Sequence, residues 1–191
     1  MSFDFDALTW STAELGRAIA ELVKRSGLGP RSADIPQLPL HLASDSPEEW
    51  SGWIEGAAGR LGVEAVHVQS SYANVEQILR AAGPALLVLP PPREPRVLAV
   101  IGARSRKVRI LRRDRTVENV PIARVCGAMS AHFEEAIQGD IEKQLDAIGL
   151  ASLRRTRARA GLTRERLGSR VVAHCWVLSA GSARFWLPSI C

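Results

Sequence analysis

Long hydrophobic runs are missing from this chain: nowhere in its 191 residues do eighteen apolar residues follow one another. The sequence therefore offers no bilayer-spanning helix. Cysteine is scarce, at Cys126, Cys175 and Cys191 only. An odd count without framework spacing excludes a secreted disulfide scaffold. Close pairs such as Cys-x2-Cys are absent, so no structural zinc centre is expected. His174 and Cys175 are neighbours, but adjacent residues on a strand face opposite ways and do not share a metal. The chain has neither Gly-x4-Gly-Lys-Ser/Thr nor Gly-x-Gly-x-x-Gly, which argues against a phosphate-cradling loop. No cofactor and no metal are expected.

Acidic charge is thin in the second half. Residues 1–90 carry 6 Lys+Arg and 11 Asp+Glu, and residues 91–191 carry 19 and 9. A net of −5 thus faces a net of +10, which suits contact between the second half and something anionic. Lysine is rare as well: Lys24, Lys107 and Lys143 stand among 25 basic residues. With so much Ala and Gly, that bias reads as a GC-rich genome. The start Met1 to Asp6 is acidic and lacks the basic-then-apolar pattern of a signal peptide, so a cytoplasmic location is expected.

What is present is a run of strands between Leu61 and Pro121. Val63–Val68 and Thr116–Val120 alternate apolar with polar, as half-buried strands do. Pro84–Leu89 and Arg96–Ile101 are the two middle runs, read as apolar throughout, which suits central strands covered on both faces. Val108–Leu111 completes an antiparallel set. Ser11-Thr12-Ala13-Glu14 has the capping-box pattern, and Leu15, Ile19, Leu22 and Val23 form one helical stripe ending at Gly27. Residues 28–45 are a proline-rich connection, with 35–42 as an edge segment. A second helix is expected from Ser46, with Trp50, Trp53, Ile54, Ala57, Ala58 and Leu61 inward. A third is capped by Ser71, and Pro90–Pro92 makes a stiff spacer. A fourth spans Ile122–Ala136.

From Ile137 the pattern changes to a short helix lined by Ile141, Leu145 and Ile148 and broken near Gly149. Residues 151–170 then hold seven Arg and one Glu, and Val171–Leu178 reads as a final strand. The expectation is a domain at 1–136 followed by a basic helical extension at 137–191. Arg154, Arg155, Arg157, Arg159, Arg164 and Arg166 are the candidate binding residues. Three readings apply to them: a solvated face, a dock for lipid head groups or an acidic protein, and a nucleic-acid contact. The cluster lacks the aromatics that nucleic-acid binders interleave. Cys126 with His132 is the one thiol–imidazole combination close in sequence, but a six-residue spacing on a helix keeps the two apart. A cysteine hydrolase using Cys126 and an Arg-rich nucleic-acid-associated protein remain as alternative functions.

The element order of helix, helix, strand, helix and strands in series resembles the double-glycine leader peptidase domain at the N-terminus of bacterial peptide-exporting ABC transporters. The residues that carry the likeness are Ala58-Gly59-Arg60-Leu61-Gly62-Val63, Tyr72 with Val75, Ile78 and Leu79, Pro84–Leu87, Val97–Val100 and Val108–Leu111. They cover about residues 11–130. The resemblance implies a papain-like α+β fold, with helices packed on a central antiparallel sheet and a basic linker after it. It also implies a peptide substrate, and the exporter's membrane and ATPase domains as partners at the inner face of the membrane. The chain departs from that family where catalysis resides. The family's Asp-Cys-Gly is here Glu14-Leu15-Gly16, its histidine position is Pro95-Arg96, and its Asp-Pro is Arg113-Asp114-Arg115. Asp114 is thus the one relic of a catalytic acid. The resemblance therefore implies a degenerate domain that holds a peptide or partner protein and does not cut.

Overall fold

The computed structural model describes residues 6–29, 39, 50–89, 95–148 and 152–181. Within them the chain is α+β, with a seven-stranded antiparallel sheet. Strand β1 is Trp10–Ser11, and a 3-10 turn at Thr12–Glu14 leads into α1, Leu15–Ser26. Then follow α2 (Ser51–Arg60), β2 (Val63–Ser71), α3 (Val75–Ala81), β3 (Ala85–Leu89), β4 (Arg96–Arg104), β5 (Lys107–Leu111) and β6 (Val117–Pro121). The chain continues with α4 (Ile122–Ile148), α5 (Ser152–Leu167) and β7 (Val171–Ala180). The sheet order is β2-β7-β3-β4-β5-β6, with β1 paired to the start of β4.

Strand alternation builds two cores from one sheet. Leu86, Val88, Val97 and Ala99 point to one face, where Leu15, Ile19 and Leu22 of α1 and Ile54 and Ala57 of α2 cover them. Ala85, Leu87, Leu98 and Val100 point to the other, beneath Val75 and Leu79 of α3 and Val125 and Met129 of α4. This is why β3 and β4 read as unbroken apolar runs. Helix α1 stops where Gly27 takes the left-handed conformation, φ 67°. Ser71 does not cap α3. It ends β2 and donates its N–H to Asn74 Oδ1 at 2.7 Å, and Asn74 occupies the cap position.

The end of the chain departs most from the sequence expectation. Helix α4 does not stop at Ala136 but runs for 27 residues, about 40 Å, straight through Gly139. One glycine costs a helix only about 1 kcal/mol, and buried Ile141 and Leu145 hold the second half in place. A boundary at 136/137 therefore falls inside a continuous helix. Helix α5 folds back on α4, and β7 pairs with β2 along its length and with β3 at residues 174–177, so it inserts between them. Trp176 and Leu178 of β7 enter one core, and Ala173 and Cys175 enter the other. Because β2 and β3 are each antiparallel to β7, they run parallel to one another, joined by α3. No helix among the described residues is long and apolar enough to cross a membrane. Residues 30–38 and 40–49, Pro90–Pro92, the segment Phe185–Leu187 and Cys191 lie outside the described residues.

Candidate functional site

The N-terminus of α1 is where a papain-like nucleophile would sit. Here the Ser11 hydroxyl donates to Glu14 Oε2 at 2.8 Å, and the Ser11 amide donates to the same oxygen at 3.3 Å. Arg113 Nε lies 3.3 Å from that carboxylate and also donates to the Thr9 carbonyl at 2.9 Å. Burial pushes the Glu14 carboxyl up. The Ser11 hydroxyl and amide and the guanidinium groups of Arg113 and Arg17 outweigh it and hold the carboxyl below its ordinary value. Ser11 thus faces an acid that is already charged and paired, and no imidazole contacts it among the described residues.

The two described thiols are Cys126 and Cys175. Cys175 is fully buried, and burial pushes its thiol up to about 12. Cys126 on α4 is half-buried, and burial with the nearby Glu76 charge raises it to about 11. Thiolate is the reactive form, and both shifts work against it near neutral pH. His132 packs against the Phe133 ring, with centres 5.4 Å apart, and makes no hydrogen bond to Cys126.

The structure does bring two histidines together, which the sequence reading missed. His67 on β2 and His174 on β7 sit diagonally across the strand pair, with His67 Nε2 3.2 Å from His174 Nδ1. The rings are tilted by only 11° with centres 5.4 Å apart, so they lie end to end, nearly in one plane. The two nitrogens face one another across 3.2 Å, with no room for an ion between them. Trp176 stacks on His67 at 4.7 Å. Cys175 faces the opposite core, as alternation requires, so the imidazole pair and the buried thiol are on opposite sides of the sheet. Among the described residues no group of three or more His, Cys, Asp or Glu side chains is placed to hold a metal ion.

Asp114 lies in the turn between β5 and β6. Its carboxylate accepts from the Thr116 hydroxyl at 2.6 Å and the Thr116 amide at 2.9 Å, and these bonds lower its pKa. A local turn bond accounts for an acid there.

The six candidate arginines divide. Arg155 pairs with Glu142 and Asp146 of α4, and Arg159 pairs with Glu142. Hydrogen bonds from Arg159 and Arg155 hold the Glu142 carboxyl down at about 2. Arg154, Arg157, Arg164 and Arg166 are exposed and have no ion pair among the described residues. At the foot of α5, the Ala73 amide donates to the Gly168 carbonyl at 3.1 Å and the Tyr72 amide to the Arg170 carbonyl at 2.8 Å. A Cβ at Gly168 would lie 2.7 Å from the Arg164 carbonyl, so the close turn requires glycine. Arg170 stacks its guanidinium over Phe133 at 5.2 Å, and the Tyr72 hydroxyl donates to Glu134 at 2.9 Å. Burial and the Glu134 carboxylate raise Tyr72 to about 12.

A second basic surface was not foreseen: Arg104, Arg106, Lys107 and Arg109, all exposed around the β4–β5 turn. Its signal was present as four cations in six residues, overshadowed by the denser tract at 151–170. Comparison with protein-family models finds no match, and comparison with curated proteins finds none either.

Proposed function

We propose that this chain is a non-catalytic, papain-like peptidase-type domain that holds a substrate peptide or partner protein for an ABC-type peptide exporter. The observation that carries this reading is the combination of a helix–helix–strand–helix–sheet order with a chemically closed α1 N-terminus. Glu14, already charged and paired, occupies the place beside Ser11 where a reactive thiol–imidazole pair would be needed. The described thiols are raised to about 11 and about 12 and contact no imidazole. What remains is a scaffold whose surfaces bind. The helical pair α4–α5 serves in this reading as the basic element toward the exporter or the inner face of the membrane. The outward arginines Arg154, Arg157, Arg164 and Arg166 supply the charge there.

The test is incubation with a double-glycine leader peptide, with and without prior thiol alkylation. The peptide is expected to be retained and recovered intact in both samples. Cleavage that alkylation abolishes would overturn the non-catalytic reading. Alkylation itself is expected to leave Cys175 unmodified in the folded chain at neutral pH, read by mass spectrometry.

A further inference from the structure

The sheet face that carries α1 and α2 is only partly roofed. Leu111, at one end of β5, lies in the core beneath α1. Arg109 and Lys107 precede it by two and four residues, so they share its face, yet both are exposed. Across the strands Arg104 stands opposite Lys107, Gly102 opposite Arg109, and Asn119 and Pro121 continue the same surface on β6. Arg106 sits in the turn, which is tied down by the Ile122 amide donating to the Arg106 carbonyl at 2.9 Å.

This shelf has no counter-charge paired to it among the described residues. Among the described residues none of the side chains of Arg104, Arg106, Lys107 and Arg109 makes an ion pair or a hydrogen bond. On β6 Glu118 is engaged with Arg112, and Glu14 and Glu21 pair with Arg113 and Arg115 at the far end of β4 and β5. Glu118 also alternates with Asn119, so it faces the other side of the sheet. Like charges directly opposite on adjacent strands destabilise a sheet. Arg104 opposite Lys107 is such a pair, and no ion pair among the described residues offsets it.

We propose that this shelf takes an acidic polypeptide segment in extended form. Lys107 and Arg109 are two residues apart on one strand, so their stems are spaced by about 6.6 Å. Alternate side chains of an extended partner have that same spacing, and carboxylates at such positions meet both cations, with Arg104 beside them. The surface offers no aromatic platform for bases, its neighbours being Gly102, Asn119 and Pro121. The turn residues Ser105 and Arg106 offer no apolar wedge for a bilayer. The inference rests on the polypeptide-holding function proposed above and names the chemistry of what is held.

The test uses the full chain and two fluorescein-labelled decapeptides, one alternating Glu with Thr and one alternating Gln with Thr. Fluorescence anisotropy at low ionic strength is expected to show binding of the Glu peptide alone, weakening steeply as salt is added. The double variant Lys107→Glu/Arg109→Glu, and the milder Arg104→Gln, should weaken it, the former by about tenfold or more. Lys24→Glu, at an exposed position on α1 away from the shelf, should not. Circular dichroism confirms that each variant is folded. Equal binding by the double variant, or no binding of the Glu peptide, would overturn the proposal. Equal binding of both peptides would also overturn it, while leaving the polypeptide-holding function standing. Shelf-dependent binding of phosphatidylglycerol vesicles or single-stranded RNA without binding of the Glu peptide would overturn it in favour of another polyanion.

Discussion

Two basic stretches of this chain look alike in sequence and differ in what they leave free. In α5, Arg155 and Arg159 turn back onto Glu142 and Asp146, so part of the densest arginine tract is internal bracing. On the β4–β5 turn, four cations stand without a single carboxylate among the described residues. Density of charge along a chain therefore does not rank surfaces by their readiness for a partner. What ranks them is whether the fold brings its own acids to the same place.

The comparison can be broken first at α4–α5. If α5 were a tether without structural weight, Leu145→Ala would leave the melting temperature unchanged. Leu145 is wholly buried, and its truncation is expected to cost about 2–5 kcal/mol in denaturant unfolding. Removing the bracing charge is the next largest effect: Glu142→Gln should lower the melting temperature by releasing both Arg155 and Arg159. That contribution also has a pH signature. The Glu142 pKa is depressed in the folded chain to about 2, against about 4.3 for an unperturbed glutamate. The stabilisation is therefore present above the unfolded value and lost as pH falls from about 4 toward 2. The difference in melting temperature between wild type and Glu142→Gln should be constant above pH ~5 and vanish near pH 2.

The shelf should respond with the opposite sign. Lys107→Glu places an acid opposite Arg104 and is expected to stabilise the fold by about 0.2–1 kcal/mol, seen as a raised unfolding midpoint. A loss of stability there would mean that Lys107 has a partner after all. The smallest effect belongs to the turn itself. Ser105 has φ 58°, a left-handed conformation that glycine adopts freely. Ser105→Gly should raise stability by a few tenths of a kcal/mol, up to about 1 kcal/mol, without altering peptide binding.

Much of the central architecture was legible because its cause is local. Alternation marked β2, and uninterrupted apolar runs marked β3 and β4 as covered on both sides. Gly27 marked the end of α1, and the Ser11–Glu14 capping pattern marked the 3-10 turn that leads into it. The C-terminal third was less legible because its causes are distant. Nothing near Gly139 indicates that α4 continues, since what holds residues 137–148 is α5 folded against them. Nothing in Val171–Ala180 reveals that its neighbours are strands more than eighty residues earlier. The His67–His174 pair exists only through that register and had no sequence signature. The emptiness around Arg104 and Lys107 was hidden for the converse reason: the acids next in sequence, Asp114 and Glu118, are drawn to Thr116 and Arg112.

Placing β7 in the middle of the sheet has a consequence for how the chain is made. As synthesis proceeds, β3 through β6 can pair as they emerge, but β2 has no neighbour until residues 171–180 leave the ribosome. Until then two ladders of backbone donors and acceptors face an open slot, the kind of unpaired edge that invites association with other nascent chains. The final closure joins strands far apart in sequence, which makes it slow. The last described strand therefore acts as the keystone of assembly, and a ribosome stalled before it would leave a sheet primed to aggregate.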